Sequence, residues 1–380
     1  MNIIAVDWGK DARKWSAYRA EVSARLISRL KFDGSLSHLV GLAATLEPPV
    51  LIGIDAAIGF PSAAWNQLVG NQPDPAATFI DYLLDCQLPD HFFDPIQTPE
   101  EWAPSQPFIR PPPGSWSLKA FIGASKGGFY RQIDQCLNGS PIFVTSGIPG
   151  SVGSGTRALW QELLALKPKS GFGIWPFHGS LGRLILAGKP IIAEIYPKAC
   201  YGIALAESLP SPLVSIARTR RHAREVGIER LIKAGWVINN NVRIHDRQQA
   251  TANEDDFDAL LSAAALLRLF LEEAPIESLV SENLNIEGGV LGSASILAGK
   301  QKISRPPPHR PKKANAKQPG DSRQYPCPIP GCGHVFQNSR GGWDAHVASL
   351  KRHPHWHPDT PNPTERKTLF KQLFTGWFSD

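Results

Sequence analysis

The sequence predicts an α/β body joined by a basic linker to a small Cys/His module. Three observations point that way. Short apolar runs alternate with segments of helical periodicity over residues 1–298. The composition breaks near residue 299, where a Pro-rich, basic stretch begins. Beyond it, Cys327, Cys332, His346 and His353 follow one another at near-finger spacing.

The body opens with a strand, Ile3 to Asp7, then a polar turn, WGKDARK, and a second strand from Trp15 to Glu21. Leu36, Leu39, Val40 and Ala43 recur at helical spacing, so residues 36–46 are expected to form a helix. Residues 49–55, PVLIGID, form the continuous apolar run of a strand buried on both faces. Residues 70–117 are Pro-rich and read as a long irregular segment. A strand is expected near Ile142 to Thr145, a Gly-rich loop GIPGSVGSGT after it, and a helix from Thr156 to Leu166. Pro190 to Tyr196 is another apolar run, interrupted by Glu194. EDDFDALLSAAALLRLFLE, residues 254–272, is the strongest helix.

Bulk numbers narrow the class. The chain has 380 residues, 42% of them hydrophobic and 19% charged, enough for a real core and too apolar for wholesale disorder. The five cysteines form no disulfide-framework spacing, MNIIAVDWGK has no signal-peptide character, and no apolar run spans a bilayer. The expectation is a cytoplasmic protein in a reducing compartment, with no membrane contact. Net charge is +6, but residues 299–324 hold eight basic residues against Asp321 alone, a charge of +7 that leaves the rest at −1. The positive excess therefore sits in an extended, self-repelling tether suited to phosphates.

Two acids, Asp7 and Asp55, end apolar strands, where a charge is costly unless paired or coordinated. Ligand sites of α/β sheets collect at such ends. Asp255 and Asp258 lie three apart in the first turn of the late helix and share a face. The helix dipole offers a structural account of Asp255 beside a role in the site, whereas Asp258 enters an apolar run and needs a partner. Carboxylates from two strands and a helix are the donor set of a hard cation; Mg²⁺ or Mn²⁺ there would clamp a phosphodiester and activate water.

The motifs IAVDWG, LIGIDAAIGFP, AEIYPKACY, DDFDALLSAAALL and EGGVLG occur in that order. Together they resemble domain-of-unknown-function family 429, described as predicted ribonuclease H-like nucleases. The resemblance covers most of residues 1–295 and implies a ribonuclease H-like mixed sheet flanked by helices. On that fold the metal-binding acids come from the first strand, a later strand and a late helix, which match Asp7, Asp55 and Asp258. It makes Asp255 a candidate fourth acid, as in the Asp-x-x-Asp helix of junction resolvases. Glu194 matches a recurrent acidic position, either as a ligand or as a structural acid bonded to backbone amides. Residues 70–180 do not match a minimal ribonuclease H core.

Two further readings remain open. VDWGK also resembles the first phosphate loop of actin-like ATPases and sugar kinases, and GIPGSVGSGT before a helix would offer amides to an anion. No Gly-Lys-Ser/Thr follows, so it is not a P-loop. The cluster IARTRRHAR places Arg218, Arg220 and Arg221 either on a solvated helix face or against substrate phosphates.

In the C-terminal module, residues 325–357, the Pro330-Gly331 turn lets Cys327 and Cys332 face one Zn²⁺. Phe336 stands at the core-aromatic position of a ββα finger, Trp343 is expected to pack on it, and His346 begins the second ligand pair. The spacing is C-x4-C-x13-H-x6-H rather than the standard form. In a straight helix His346 and His353 lie about 10.5 Å apart, too far for one zinc. Pro354 favours a turn before His353, and His355 is the fallback ligand. The tail, residues 358–380, reads as an amphipathic helix with Leu369, Phe370, Leu373, Phe374 and Trp377 on one face. The whole reads as a metal-dependent nuclease whose finger and linker hold nucleic acid. A non-catalytic nucleic-acid- or protein-binding protein is the alternative, and an actin-like phosphotransferase a further one.

Overall fold

The computed structural model describes residues 1–9, 15–32, 34–70, 76–85, 88–112, 114–125, 128–146, 152–166, 171–297, 324–337, 346–347 and 362–374. The chain divides into two compact units, Met1–Pro307 and Pro308–Asp380. That boundary falls inside the predicted linker, most of which lies outside the described residues. No helix among the described residues is long and apolar enough to cross a membrane.

The first unit is an α/β layer structure built on one seven-stranded sheet. Its strands are β1 (Asn2–Asp7), β2 (Ser16–Glu21), β3 (Leu26–Leu30), β4 (Val50–Ile54), β5 (Gly173–Ile174), β6 (Ile191–Glu194) and β7 (Arg243–Ile244). They lie in the order β5-β6-β4-β1-β2-β3-β7. β2 runs antiparallel to β1 and β3, while β4, β6 and β5 run parallel to β1, so the sheet is mixed.

The helices before β6 are α1 (Leu36–Thr45), α2 (Ser62–Val69), α3 (Phe79–Asp85), α4 (Leu118–Ser125), α5 (Gln132–Cys136), α6 (Gly153–Leu166) and α7 (Leu181–Leu186). After it come α8 (Pro197–Leu205), α9 (Arg221–Ile232), α10 (Gly235–Asn239), α11 (Arg247–Ala252), α12 (Glu254–Leu271) and α13 (Leu284–Glu287).

Alternation along the buried strands feeds two cores. Ile3, Ala5, Leu51, Ile191 and Ala193 point to one face, where α8 and α12 lie. Ile4, Val6, Ile52, Ile54 and Ile192 point to the other, with residues of α1, α2, α3 and α6. Helix α12 is buried continuously from Asp256 to Leu269, which is why its sequence shows almost no polar face.

Two expectations change here. Residues 70–117 are not simply irregular. Phe79, Tyr82, Phe92 and Phe108 are buried, and Phe60, Phe79, Phe92, Phe108 and Phe143 all pack around Trp160. Aromatic contacts made from turns obey no period, so sequence periodicity does not reveal this core. No strand forms at 142–145: Ile142 and Phe143 are in a turn, and Val144 makes only an isolated bridge to Ile109. The Val144 carbonyl instead accepts from the Gly153 amide at the start of α6.

The EGGVLG motif works by close packing. Gly59 (φ +138°) and Gly288 (φ +70°) cross, and a Cβ at Gly288 would lie 1.9 Å from the Ile58 carbonyl oxygen. The preceding Glu287 is buried and accepts from the Ser62 amide (3.0 Å) and the Gln132 amide (2.6 Å), tying the starts of α2 and α5 together.

Beneath that crossing lies a buried ionic knot. Arg131, 1% exposed, donates to both Glu194 oxygens at 2.6 Å and to Asp134 at 2.8 Å, and its Nη1 also reaches the Glu287 carbonyl at 3.2 Å. Removing the cation would leave two enclosed carboxylates without a counter-charge. We expect Arg131→Met to lower stability by about 3–5 kcal/mol in urea unfolding; a loss below about 1 kcal/mol would show the knot to be dispensable.

Candidate functional site

Asp7 is the last residue of β1 and Asp55 follows the last residue of β4. The parallel register pairs Val6 with Ile54, so the two acids leave the sheet side by side, and the Asp55 amide donates to the Val6 carbonyl at 3.0 Å. Glu194 pairs with Ile54 on the next strand. Three adjacent strands thus end in acids at one edge.

The first turn of α12 meets that edge. The Asn253 side chain caps the helix by accepting from the Asp255 amide at 3.0 Å. Asp255 is hydrogen-bonded through its side chain to Asp7. Asp258, one turn on and 1% exposed, accepts from the Tyr201 hydroxyl on α8 and pairs through its other oxygen with Arg218. Asp256 points elsewhere, to Arg29 at 2.6 Å. The i,i+3 spacing therefore does what the sequence suggests: Asp255 and Asp258 face the strand ends while Asp256 does not.

Electrostatics report crowded negative charge. Burial, reinforced by Asp55 and Asp255, raises the Asp7 carboxyl well above the usual range despite the pull of Arg218. Burial, with a further push from Glu194, raises Asp55 to about 7, against the lowering effect of Arg218. One guanidinium does not neutralise this set. The Asp258 Oδ2 atom faces Arg218, and the buried Glu254 Oε2 has no hydrogen-bond partner among the described residues. Several acids around one guanidinium offer the oxygen donors a hard cation takes. The acids are neighbours rather than a closed coordination set. Among the described residues, the group with three candidate ligand atoms mutually within 4.8 Å lies in the second unit.

Glu194 requires a correction as a catalytic candidate. Both its oxygens are taken by Arg131, and Oε2 also accepts from the Ile58 amide at 2.8 Å. It is a structural acid, and it touches the site through its charge on Asp55.

The basic cluster divides as well. Arg218 enters the acidic site. Arg220 is exposed, and Arg221 starts α9, pairing with Glu225 at 3.1 Å. Arg224 is buried and donates to the Thr251 and Ala252 carbonyls, each at 2.9 Å, so it is a structural staple. Of the Gly-rich loop, residues 147–151 lie outside the described residues. Gly155 is needed for packing: a Cβ there would sit 2.9 Å from the Trp8 carbonyl oxygen.

Tyr201 and Arg131 are the site residues that sequence reasoning missed. Tyr201 lay in view as the last residue of AEIYPKACY, but its role depends on α8 packing against α12. Arg131 follows an irregular stretch and carries no local signal.

The second unit holds the Cys/His group. β8 (Gln324–Pro326) and β9 (Val335–Gln337) form an antiparallel hairpin, and the Cys327 amide donates to the His334 carbonyl at 2.7 Å. The turn brings Cys327 and Cys332 together, and Cys332 Sγ lies 3.2 Å from His346 Nε2. With Cys327 they form a three-ligand group able to hold a metal such as zinc. Burial and the neighbouring Cys332 push the Cys327 thiol up to about 11.

The predicted fourth ligands His353 and His355, and Trp343, lie outside the described residues, as does the Phe336 side chain. The tail forms α14 (Pro363–Leu373), whose Phe370 packs with Ile329 and Val347 to cover this module. Leu373 departs from the expected apolar face and is exposed; Trp377 lies outside the described residues.

No family model, curated protein or solved structure matches this chain.

Two outcomes follow from the charges. Folding raises the affinity of Asp55 for its proton, from about pH 4 unfolded to about 7 folded. The folded state therefore binds the extra proton across that window, and stability falls as pH rises through it, by at most about 1.4 kcal/mol per pH unit. In divalent-free buffer, Asp55→Asn should flatten this decline; parallel urea profiles for the two proteins would overturn the assignment. In the second unit, Cys332→Ser should abolish stoichiometric zinc by atomic emission and speed proteolysis at residues 324–374, with the unfolding of the first unit unchanged.

Proposed function

We propose that the first unit is a metal-dependent nuclease of ribonuclease H-like architecture, acting on phosphodiester bonds of nucleic acid. The observation that carries this reading is the excess of carboxylate over cation where Asp7, Asp55, Asp255 and Asp258 meet. The mixed sheet flanked by helices, with acids from the first strand, a later strand and a late helix, supports it, as do the ordered motifs that resemble family 429.

Asp7, Asp55 and Asp258 would hold Mg²⁺ or Mn²⁺, with Asp255, hydrogen-bonded to Asp7, beside them. When bound, the ion supplies Lewis-acid activation of water and neutralises the phosphodiester. Tyr201 keeps Asp258 Oδ1 occupied and so leaves its second oxygen, which faces Arg218, as the one open to an ion. The long reach of Arg218 suits a phosphate contact, and the exposed Arg220 and Arg221 extend the basic surface. The second unit is a C2H2-like zinc finger in this reading, which with the basic linker increases the local concentration of nucleic acid.

A non-catalytic binding protein is the second reading, favoured by the Arg218–Asp258 ion pair, which satisfies an acid that a nuclease needs open.

The deciding experiment is a cleavage panel of single- and double-stranded DNA and RNA with Mg²⁺ or Mn²⁺. Wild type should cleave at least one substrate, and Asp7→Asn should be slower by at least about 10²-fold with its fold intact by circular dichroism. Equal rates, or no cleavage with nucleic-acid binding retained, favour the second reading.

A further inference from the structure

Two arginines neutralise acids at the strand ends, and they do so differently. Arg131 is 1% exposed and is enclosed by two carboxylates and backbone carbonyls. Arg218 has a side chain 44% exposed, yet its tip reaches Asp258, which is 1% exposed. Its charge also acts on Asp7 and Asp55.

The Arg218 backbone is pinned. Its carbonyl accepts from the buried Arg224, which is itself tied to the carbonyls of Thr251 and Ala252 just before the Asn253 cap of α12. Its amide donates to the Ile216 carbonyl at 2.8 Å. The side chain is a different matter. Its guanidinium pairs with the Asp258 carboxylate from an exposed stem. A fixed base and a solvent-exposed stem describe a cation whose head can leave the site without unfolding the segment that carries it. A long arginine stem lying over the surface with its head free to relocate is ordinary behaviour for this side chain.

We infer that Arg218 is an exchangeable counter-cation: it occupies the acidic cluster while no divalent ion is present, and is released towards substrate phosphate when the ion binds. The inference rests on the proposed divalent-cation site and adds its regulation. A guanidinium and a divalent ion compete for the same carboxylate, so each weakens the other's hold by the same factor. Once displaced, the guanidinium stands at the rim with its donors free for a bidentate phosphate contact. Metal-free protein is thereby kept from carrying a bare cluster of carboxylates, and phosphate capture is coupled to metal loading.

The test is Mn²⁺ titration of the full chain by calorimetry, with free Mn²⁺ followed by electron paramagnetic resonance. Wild type is compared with Arg218→Gln and with Arg220→Gln, which removes the same charge from a neighbouring exposed position. Arg218→Gln should bind Mn²⁺ on the order of tenfold more tightly, and Arg220→Gln within about twofold of wild type. Arg218→Lys, which keeps the charge and protects the fold, should fall between. With Mn²⁺ present, Arg218→Gln should bind a phosphorothioate oligonucleotide more weakly than wild type. Wild type that binds Mn²⁺ with Arg218→Gln equal or weaker overturns the counter-cation role alone. No Mn²⁺ bound by any of the proteins overturns the divalent site and this role with it.

Discussion

Everything in the first unit is arranged around one electrostatic constraint: acids at the carboxyl ends of three adjacent, buried parallel strands must find compensation. β1, β4 and β6 are apolar because both their faces are covered. Their ends place Asp7, Asp55 and Glu194 within one another's field, in an environment where an unpaired carboxylate is expensive. The surrounding elements then read as ways of supplying protons, cations and donors to that edge.

Compensation is structural on one side and left open on the other. At Glu194 it comes from Arg131, shared with Asp134, and from the Ile58 amide, and the same knot anchors the crossing of Gly59 and Gly288. That is why EGGVLG and DAAIGFP, far apart in sequence, serve one local structure. At Asp7 and Asp55 compensation stops short: burial and neighbouring acids push both carboxyls up, Asp255 is drawn in, and Arg218 reaches in from the rim. A fold that needed these acids only for stability would gain by replacing them with apolar residues. Their presence in a crowded, half-satisfied group is the physical basis for the nuclease reading.

Much of the scaffold was legible, and for identifiable reasons. The strand at Ile3–Asp7, the run at 49–55 and the helix at Glu254 are buried almost continuously, and the helix at Leu36 is buried at strict helical spacing, so residue type alone reports their environment. The Asp255–Asp258 pairing was legible because a helix has a fixed period. What was hidden depends on contacts without a period. The aromatic shell around Trp160 is assembled from turns and short helices scattered over residues 60–143. β3 is only partly buried, and β5 and β7 are two residues each, too short to show alternation.

The sequence by itself determined the alternating α/β order, the acids at strand ends, the shared face of Asp255 and Asp258, and the hairpin that pairs Cys327 with Cys332. All of these are local, because chain geometry over a few residues decides them. Only the tertiary structure decided which charges meet. It gave Glu194 to Arg131 and Asp256 to Arg29, and it set Asp258 between Tyr201 and Arg218. Those partners are separated by tens to hundreds of positions, and ionic energies depend on distance and burial, neither of which a linear sequence carries.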